Sequence, residues 1–285
     1  MYSCSFLFRF VRYIQKLGSS FLLLVGILCV QLQMAHTAVL PFQLGEALTY
    51  HAYFFGIQAG TATMQVDDQV HSCNEQSCYK IQVKGISNKA VALLGFKVSH
   101  SYESYLDVDA RPHKFFARIQ DNDYIREESI NFDYKGKKAN MTVAESTHNM
   151  KQVENYFPFG SDEAPIWDMV SMICALRSID VSKLEVGQHL SFGFLLDGRA
   201  MQEGILFLGK KTITTKLGSI LTNVFAPIIP TKGTIFAGER PIELFIADDA
   251  HKVPIKLRVN LIVGSVEMEL ASYKGLNGIL FPENQ

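Results

Sequence analysis

No single sign of charge dominates this chain. Its 27 lysines and arginines offset 28 aspartates and glutamates, leaving a formal net charge of −1. Nucleic-acid binding leans on a basic stripe, and this chain has neither such a stripe nor an acidic tail, so nucleic acid is excluded as a partner. The short catalytic signatures are missing too. There is no GxSxG, no P-loop and no GxGxxG, which leaves acyl, phosphoryl and dinucleotide chemistry without support. The eight histidines (36, 51, 71, 100, 113, 148, 189 and 251) include no HExxH and join no cysteine cluster, so neither a metal site nor a cofactor is expected. Tryptophan occurs once, at Trp167, and no low-complexity linker or fixed-period repeat divides the chain.

Long apolar runs are also scarce, and the main one is N-terminal. Arg9, Arg12 and Lys16 precede an apolar stretch from Phe21 to Leu32, followed by the small residues of Met34–Ala38. A basic segment, a run of about 12 apolar residues and a small-residue end describe a secretory signal peptide. A spanning helix takes roughly 20 apolar residues, and Gln31 and Gln33 close this run sooner. Residues 1–38 are therefore expected to direct export, and 39–285 to form one β-rich domain in the periplasm or outer envelope, without a membrane span. His36 stands where cleavage favours a small residue, so an uncleaved membrane tether is the alternative. Cys29 follows Leu28 rather than a small residue, which argues against a lipid anchor.

What the sequence has in quantity is period-two alternation, the mark of strands with one wet and one buried face. Val253, Ile255, Leu257, Val259, Leu261 and Val263 share one face, with Lys256, Arg258 and Asn260 on the other. After Gly264-Ser265, Val266, Met268 and Leu270 alternate with Glu267 and Glu269. Similar runs occur at 48–55, 61–66, 78–84, 98–106, 113–119, 124–134, 139–145, 188–196, 199–208, 210–215 and 219–229. Asp197-Gly198 reads as a hairpin turn, and Asp248-Asp249 as a turn between strands. Residues 90–94 are a short helix or an apolar loop, and 149–164 are irregular.

One helix is expected at about 165–178. It starts at Pro165 behind Asp162 and Glu163, and its apolar face holds Ile166, Met169, Val170, Ile173 and Leu176. So broad a face must cover the sheet. The bulk of Trp167 and Met172 favours a helix that plugs the interior over one that forms a lid above a pocket. The fold class that follows is mainly β: a single antiparallel, strongly curved sheet or β-barrel with one packed α-helix, two packed sheets being the alternative.

Two constellations are candidate sites. Cys73 and Cys78 flank a polar hairpin tip and are candidates for a disulfide in an oxidising compartment, while Cys174 is expected to stay reduced and buried. Alternation places Arg126 and Glu128 on the face of Tyr124, Ile130 and Phe132. Buried charges need partners, so this is a structural ion pair or a ligand site.

The order of several motifs resembles a known family. Gly45-Glu46-Ala-Leu-Thr-Tyr50 precedes Gly56-Ile-Gln-Ala-Gly60, and Tyr102-Glu-Ser-Tyr105 follows. Asp197-Gly198, Lys216-Leu-Gly218, Asp248-Asp249 through Pro254-Ile-Lys256, and Gly264-Ser-Val266 come later. From about Pro41 to Tyr273 the chain resembles the bacterial exported family called domain of unknown function 3108; Cys73 and Cys78 fall outside the resemblance. The resemblance implies an exported, antiparallel β protein of the cell envelope and brings no catalytic residues. The expected role is non-enzymatic: binding an apolar or glycan ligand or an envelope protein partner, or serving structurally. A hydrolase-type site on the concave face of the sheet is the alternative.

Overall fold

The computed structural model describes residues 40, 42–146, 151–158, 166–191, 193–196, 199–201, 204–229, 231 and 236–276. The N-terminal segment expected to direct export, Asp162, Glu163 and the expected Asp197-Gly198 turn lie outside the described residues.

Alternating sequence becomes strand as expected, and most of the strands join one antiparallel sheet. In chain order they are β1 (Ala47–Phe54), β2 (Ile57–Cys73), β3 (Gln76–Ser87), β4 (Val98–Leu106), β5 (Pro112–Asp121), β6 (Tyr124–Asp133), β7 (Lys138–Ser146) and β8 (Lys151–Pro158). After β9 (Ile166–Trp167) come β10 (His189–Leu190), β11 (Gly193–Leu196), β12 (Arg199–Met201), β13 (Ile205–Thr215) and β14 (Gly218–Pro227). The chain closes with β15 (Ile242–Ala247), β16 (Pro254–Asn260) and β17 (Ser265–Lys274). Fourteen strands run in the order β10-β13-β14-β15-β16-β17-β1-β2-β3-β4-β5-β6-β7-β8, and β12-β11-β9 form a small second sheet. The large sheet is open, because β10 and β8 are its two edges.

It is also strongly curved. Leu244 on β15 and Val83 on β3 lie five strand steps apart in that order, about 24 Å across a flat sheet at ~4.8 Å per step. Yet both line the same small cavity, so the inner face must wrap upon itself. Phe132, Ile81, Leu48, Ile255 and Ile205, from strands spread across the sheet, are fully buried in one core. The outer face is wet and carries cross-strand ion pairs, among them Lys256–Glu267 at 2.6 Å, Arg258–Glu267 at 2.7 Å and Lys80–Glu103 at 2.9 Å.

Three expectations are corrected. Residues 151–158, read as irregular, form β8 along β7. The run 188–196 divides into β10 and β11, and β13 takes in both 205–208 and 210–215, with a register shift at Gly209. The helix, α2 (Met169–Ser178), begins later than expected. Ile166 and Trp167 instead pair in parallel with β11, and Asp168 is the N-cap, accepting from the amides of Val170 and Ser171 at 2.8 and 2.9 Å. The ambiguous 90–94 segment is helical: α1 (Lys89–Leu93), capped by Asn88.

The expected disulfide finds no support: Cys73 and Cys78 stand as buried free thiols, as does Cys174. Asn74 and Glu75, both at positive φ, make a two-residue turn that sets Cys73 opposite Gln76 and Cys78 opposite His71. The cysteines are therefore diagonal neighbours. Both side chains are buried on the same face, and burial, with the neighbouring Cys73 thiol, raises the pKa of the Cys78 thiol.

Candidate functional site

Helix α2 lies across the concave face against β4, β9 and β11, and its attachment is polar at both ends. At the N-terminus the fully buried Asp168 accepts from Ser104 Oγ at 2.6 Å in addition to its two capping bonds. Burial pushes its carboxyl up to about 6, against the pull of those hydrogen bonds. At the C-terminus Arg177 is 2% exposed and Glu46 1% exposed. The guanidinium donates to both carboxylate oxygens, at 2.6 and 3.0 Å, and to the His251 carbonyl at 3.0 Å. This bidentate pair ties the helix to the segment before β1 and to the β15–β16 turn.

Between those anchors the helix packs into the core but does not fill it completely. Ile166, Val170, Cys174 and Leu176 are buried, but Met169, Met172 and Ile173 are only partly so. Beneath Ile173 lies an apolar cavity of about 80 Å³, walled by Tyr50, Met64, Val83, Leu244, Leu257 and Met268. Val83, Ile173, Leu257 and Met268 keep partial exposure, so the cavity communicates with solvent. Thr63 and Lys256 also line it, but the Lys256 ammonium is paired with Glu267 at 2.6 Å, and the Tyr50 hydroxyl is committed to the Pro254 carbonyl at 2.9 Å, with burial pushing its acidity well down. Such a wall offers contact area and little hydrogen bonding. It suits a hydrocarbon segment.

The Arg126 cluster is a separate structure on the sheet. Arg126 contacts Glu128 at 3.0 Å and Glu145 directly opposite on β7, with its own side chain 12% exposed. Tyr124 sits at the start of β6, paired with Asp121 across the β5–β6 turn. None of these residues lines the apolar cavity.

A polar pocket at the other end of the sheet brings together Asn74, Asp107, Arg111, His113 and Tyr134. It has the ingredients of acid–base chemistry, but its bonding is inward. His113 Nε2 meets Asp107 at 3.3 Å and its Nδ1 meets Asn74 at 3.4 Å, so both ring nitrogens are occupied. Burial raises the Asp107 carboxyl, but the bonds from His113 and from the Arg111 and Asp109 amides prevail and hold it below the usual range. This is a brace for the β4–β5 turn. Asp248 and Asp249 likewise behave as turn residues: Asp249 Oδ1 accepts from the amides of His251 and Lys252.

The family model described as Protein of unknown function (DUF3108) matches residues 49–271. The chain belongs to the DUF3108 family. No curated protein matches this DUF3108 chain. Three solved structures resemble it in architecture. A β-barrel-like protein of domain of unknown function DUF1849 from Brucella abortus is 10% identical, covers 83% of this chain and 99% of its own, and has a TM-score of 0.48. A protein of YmcC-like fold from Bacteroides fragilis, described as exported, is 10% identical over 82% and 98% of the two chains, at a TM-score of 0.37. A protein from Parabacteroides distasonis, described as a lipoprotein, is 13% identical over 82% and 98%, at a TM-score of 0.34. Among the described residues, no helix of the DUF3108 chain is long and apolar enough to cross a membrane.

Proposed function

We propose that this DUF3108 protein is exported to the cell envelope, where it binds an apolar ligand on the concave face beneath α2 without catalysing a reaction. The observation that carries the reading is the solvent-connected cavity whose walls are mainly apolar, with Met64, Val83, Ile173, Leu244, Leu257 and Met268 beside Tyr50, Thr63 and Lys256. Its volume of about 80 Å³ is roughly half that of an engineered apolar cavity of about 150 Å³ that holds benzene. It therefore accepts the end of an alkyl chain, and a larger guest requires Ile173 and the middle of α2 to lift as a lid. A glycan is disfavoured because sugar hydroxyls need polar partners that this wall withholds. The hydrolase alternative fares no better, since the groups bonded to the His113 ring are Asp107 and Asn74, neither of them the hydroxyl or thiol nucleophile that such a base would activate. Export rests on the basic segment and short apolar run before Ala38.

Fluorescence titration with 1-N-phenylnaphthylamine tests the ligand site. The wild-type protein is expected to take up the dye saturably, and Ile173→Trp, which fills the cavity, to lose that uptake while keeping the fold. Equal uptake by both proteins refutes the site. Fractionation tests export, and full-length protein soluble in the cytoplasm contradicts it.

A further inference from the structure

Outside the cavity, the most exposed apolar side chains are concentrated at one end of the sheet, Val186 at 75% being the exception. Ile57, Leu93, Leu94, Phe96, Ile262 and Val263 are each between 65% and 88% exposed, and Phe55 is 62% exposed. All seven lie at one end of the sheet, on three neighbouring projections: the β1–β2 turn, α1 with its following loop, and the β16–β17 turn. The three are physically joined. The Phe55 ring lies over Gly264, where an added Cβ would come within 2.6 Å of it, and Phe54 meets Phe55 edge to face at 4.6 Å. On the other side Asn88, the cap of α1, donates its amide to the Ala59 carbonyl at 2.8 Å and its side chain to that of Gln58. Helix α1 itself, Lys-Ala-Val-Ala-Leu, has no buried residue, although an apolar helix in water ordinarily packs against something.

We infer that this rim docks on a lipid bilayer, its tips entering the interfacial region of a membrane that contains anionic lipid. Charge and side-chain character both favour lipid. Segments 52–59, 86–97 and 259–266 contain no aspartate or glutamate, and their only charged groups are Lys89 and Lys97, which bracket the Leu93-Leu94-Gly-Phe96 tip. Apolar tips flanked by lysines are what interfacial insertion and anionic headgroups select. The carboxylates that border these segments are Glu267, opposite Tyr53 and paired with Lys256 and Arg258, and Asp121 and Asp123 on the β5–β6 turn, of which Asp121 is engaged with His100 at 2.8 Å. The rim is built from three distinct chain segments whose exposed side chains are apolar, a surface that a fluid bilayer accommodates. The rim also continues the inner face. Alternation along β1 carries the line from Tyr50 in the cavity through Ala52 to Phe54 at the tip. Membrane docking stands without the ligand site, but if both hold, an apolar guest has a dry path between bilayer and cavity.

Brominated-lipid quenching in the full-length protein tests this locally, so that the N-terminal segment does not confound it. Tryptophan is placed at the rim (Phe55→Trp, Ile262→Trp) or at the opposite end (Val108→Trp), with the unsubstituted protein giving the Trp167 baseline. Vesicles are phosphatidylethanolamine with or without phosphatidylglycerol. The expected result is quenching at both rim positions, dependent on phosphatidylglycerol, and little at Val108→Trp. Lys89→Glu/Lys97→Glu is expected to reduce rim quenching several-fold with an unchanged melting temperature. Equal quenching at the rim and the opposite end, or none at the rim, overturns the inference. So does a rim that becomes protected by concentration-dependent self-association without lipid, which assigns it to a second copy. A dye titration on the same samples reports the cavity separately, so failure of one proposal is distinguishable from failure of the other.

Discussion

Arg177→Met removes the guanidinium from a place where water cannot replace it. In the native protein the Glu46 carboxylate is 1% exposed and receives two charge-assisted bonds from Arg177, at 2.6 and 3.0 Å. After the substitution the bond from the Gln43 amide, at 3.3 Å, is left to compensate a buried charge. Breaking one side of such a pair costs about 3–5 kcal/mol, a large part of the roughly 5–15 kcal/mol that holds a domain together. The loss also releases the His251 carbonyl at the β15–β16 turn. The double replacement Glu46→Leu/Arg177→Met takes away the stranded charge and fills the same space with apolar atoms, which for buried pairs is often neutral. It should therefore recover at least half of the loss. Urea unfolding followed by Trp167 fluorescence and far-UV circular dichroism measures both. A single variant destabilised by less than about 1 kcal/mol, or a double variant less stable than the single, refutes the reasoning that the pair is a buried, mutually dependent anchor for α2.

Asp168 gives a pH test. Its folded-state value of about 6 exceeds the unfolded carboxylate value, so its contribution is fully present below about pH 4 and is lost as pH rises through about 6, on the order of 3 kcal/mol in all. Asp168→Asn keeps the capping oxygen and can donate to Ser104, so at pH 8 it should be at least as stable as wild type with a flatter pH 4–6 profile. Asp168→Ala should lose about 1–2 kcal/mol of capping, and equal losses for both variants at pH 8 contradict this account. Ile173→Ala enlarges a void that already exists, so its loss should fall near 1 kcal/mol instead of the about 2–5 kcal/mol of a filled core; a full-sized loss restores the plug. Mass spectrometry after alkylation of unfolded, unreduced protein should find Cys73 and Cys78 both free, and a mass deficit of two alkyl groups between them restores the disulfide.

The meander from Pro241 to Tyr273 was readable because each strand carries its own alternation: Val253, Ile255 and Leu257 inward, Lys256 and Arg258 outward with Glu267 and Glu269 as cross-strand partners. Strand β8 was not, because Lys-Gln-Val-Glu-Asn-Tyr-Phe-Pro has no clean period of two and becomes a strand at the sheet's edge by pairing with β7. The helix start was misplaced because Pro165 and the acids before it look like a first turn, whereas Asp168 caps from a buried position that only Ser104, 64 residues away, explains. The same distance hid the site. The cavity walls come from β1, β2, β3, β15, β16, β17 and α2, and each wall residue looks locally like ordinary core. Arg177 and Glu46 are 131 residues apart, and nothing near either one points to the other.

The central claim is that the space under α2 receives an apolar chain, and methyl NMR tests it at the residues concerned. Protein labelled at Met, Ile, Leu and Val methyls is titrated with dodecanoate. The account predicts saturable shifts at Met64, Val83, Ile173, Leu257 and Met268, with Val170 and Leu176 on the buried part of the helix moving little. Shifts confined to the exposed Ile57, Leu93, Leu94, Ile262 and Val263, or shifts that never saturate, would contradict it.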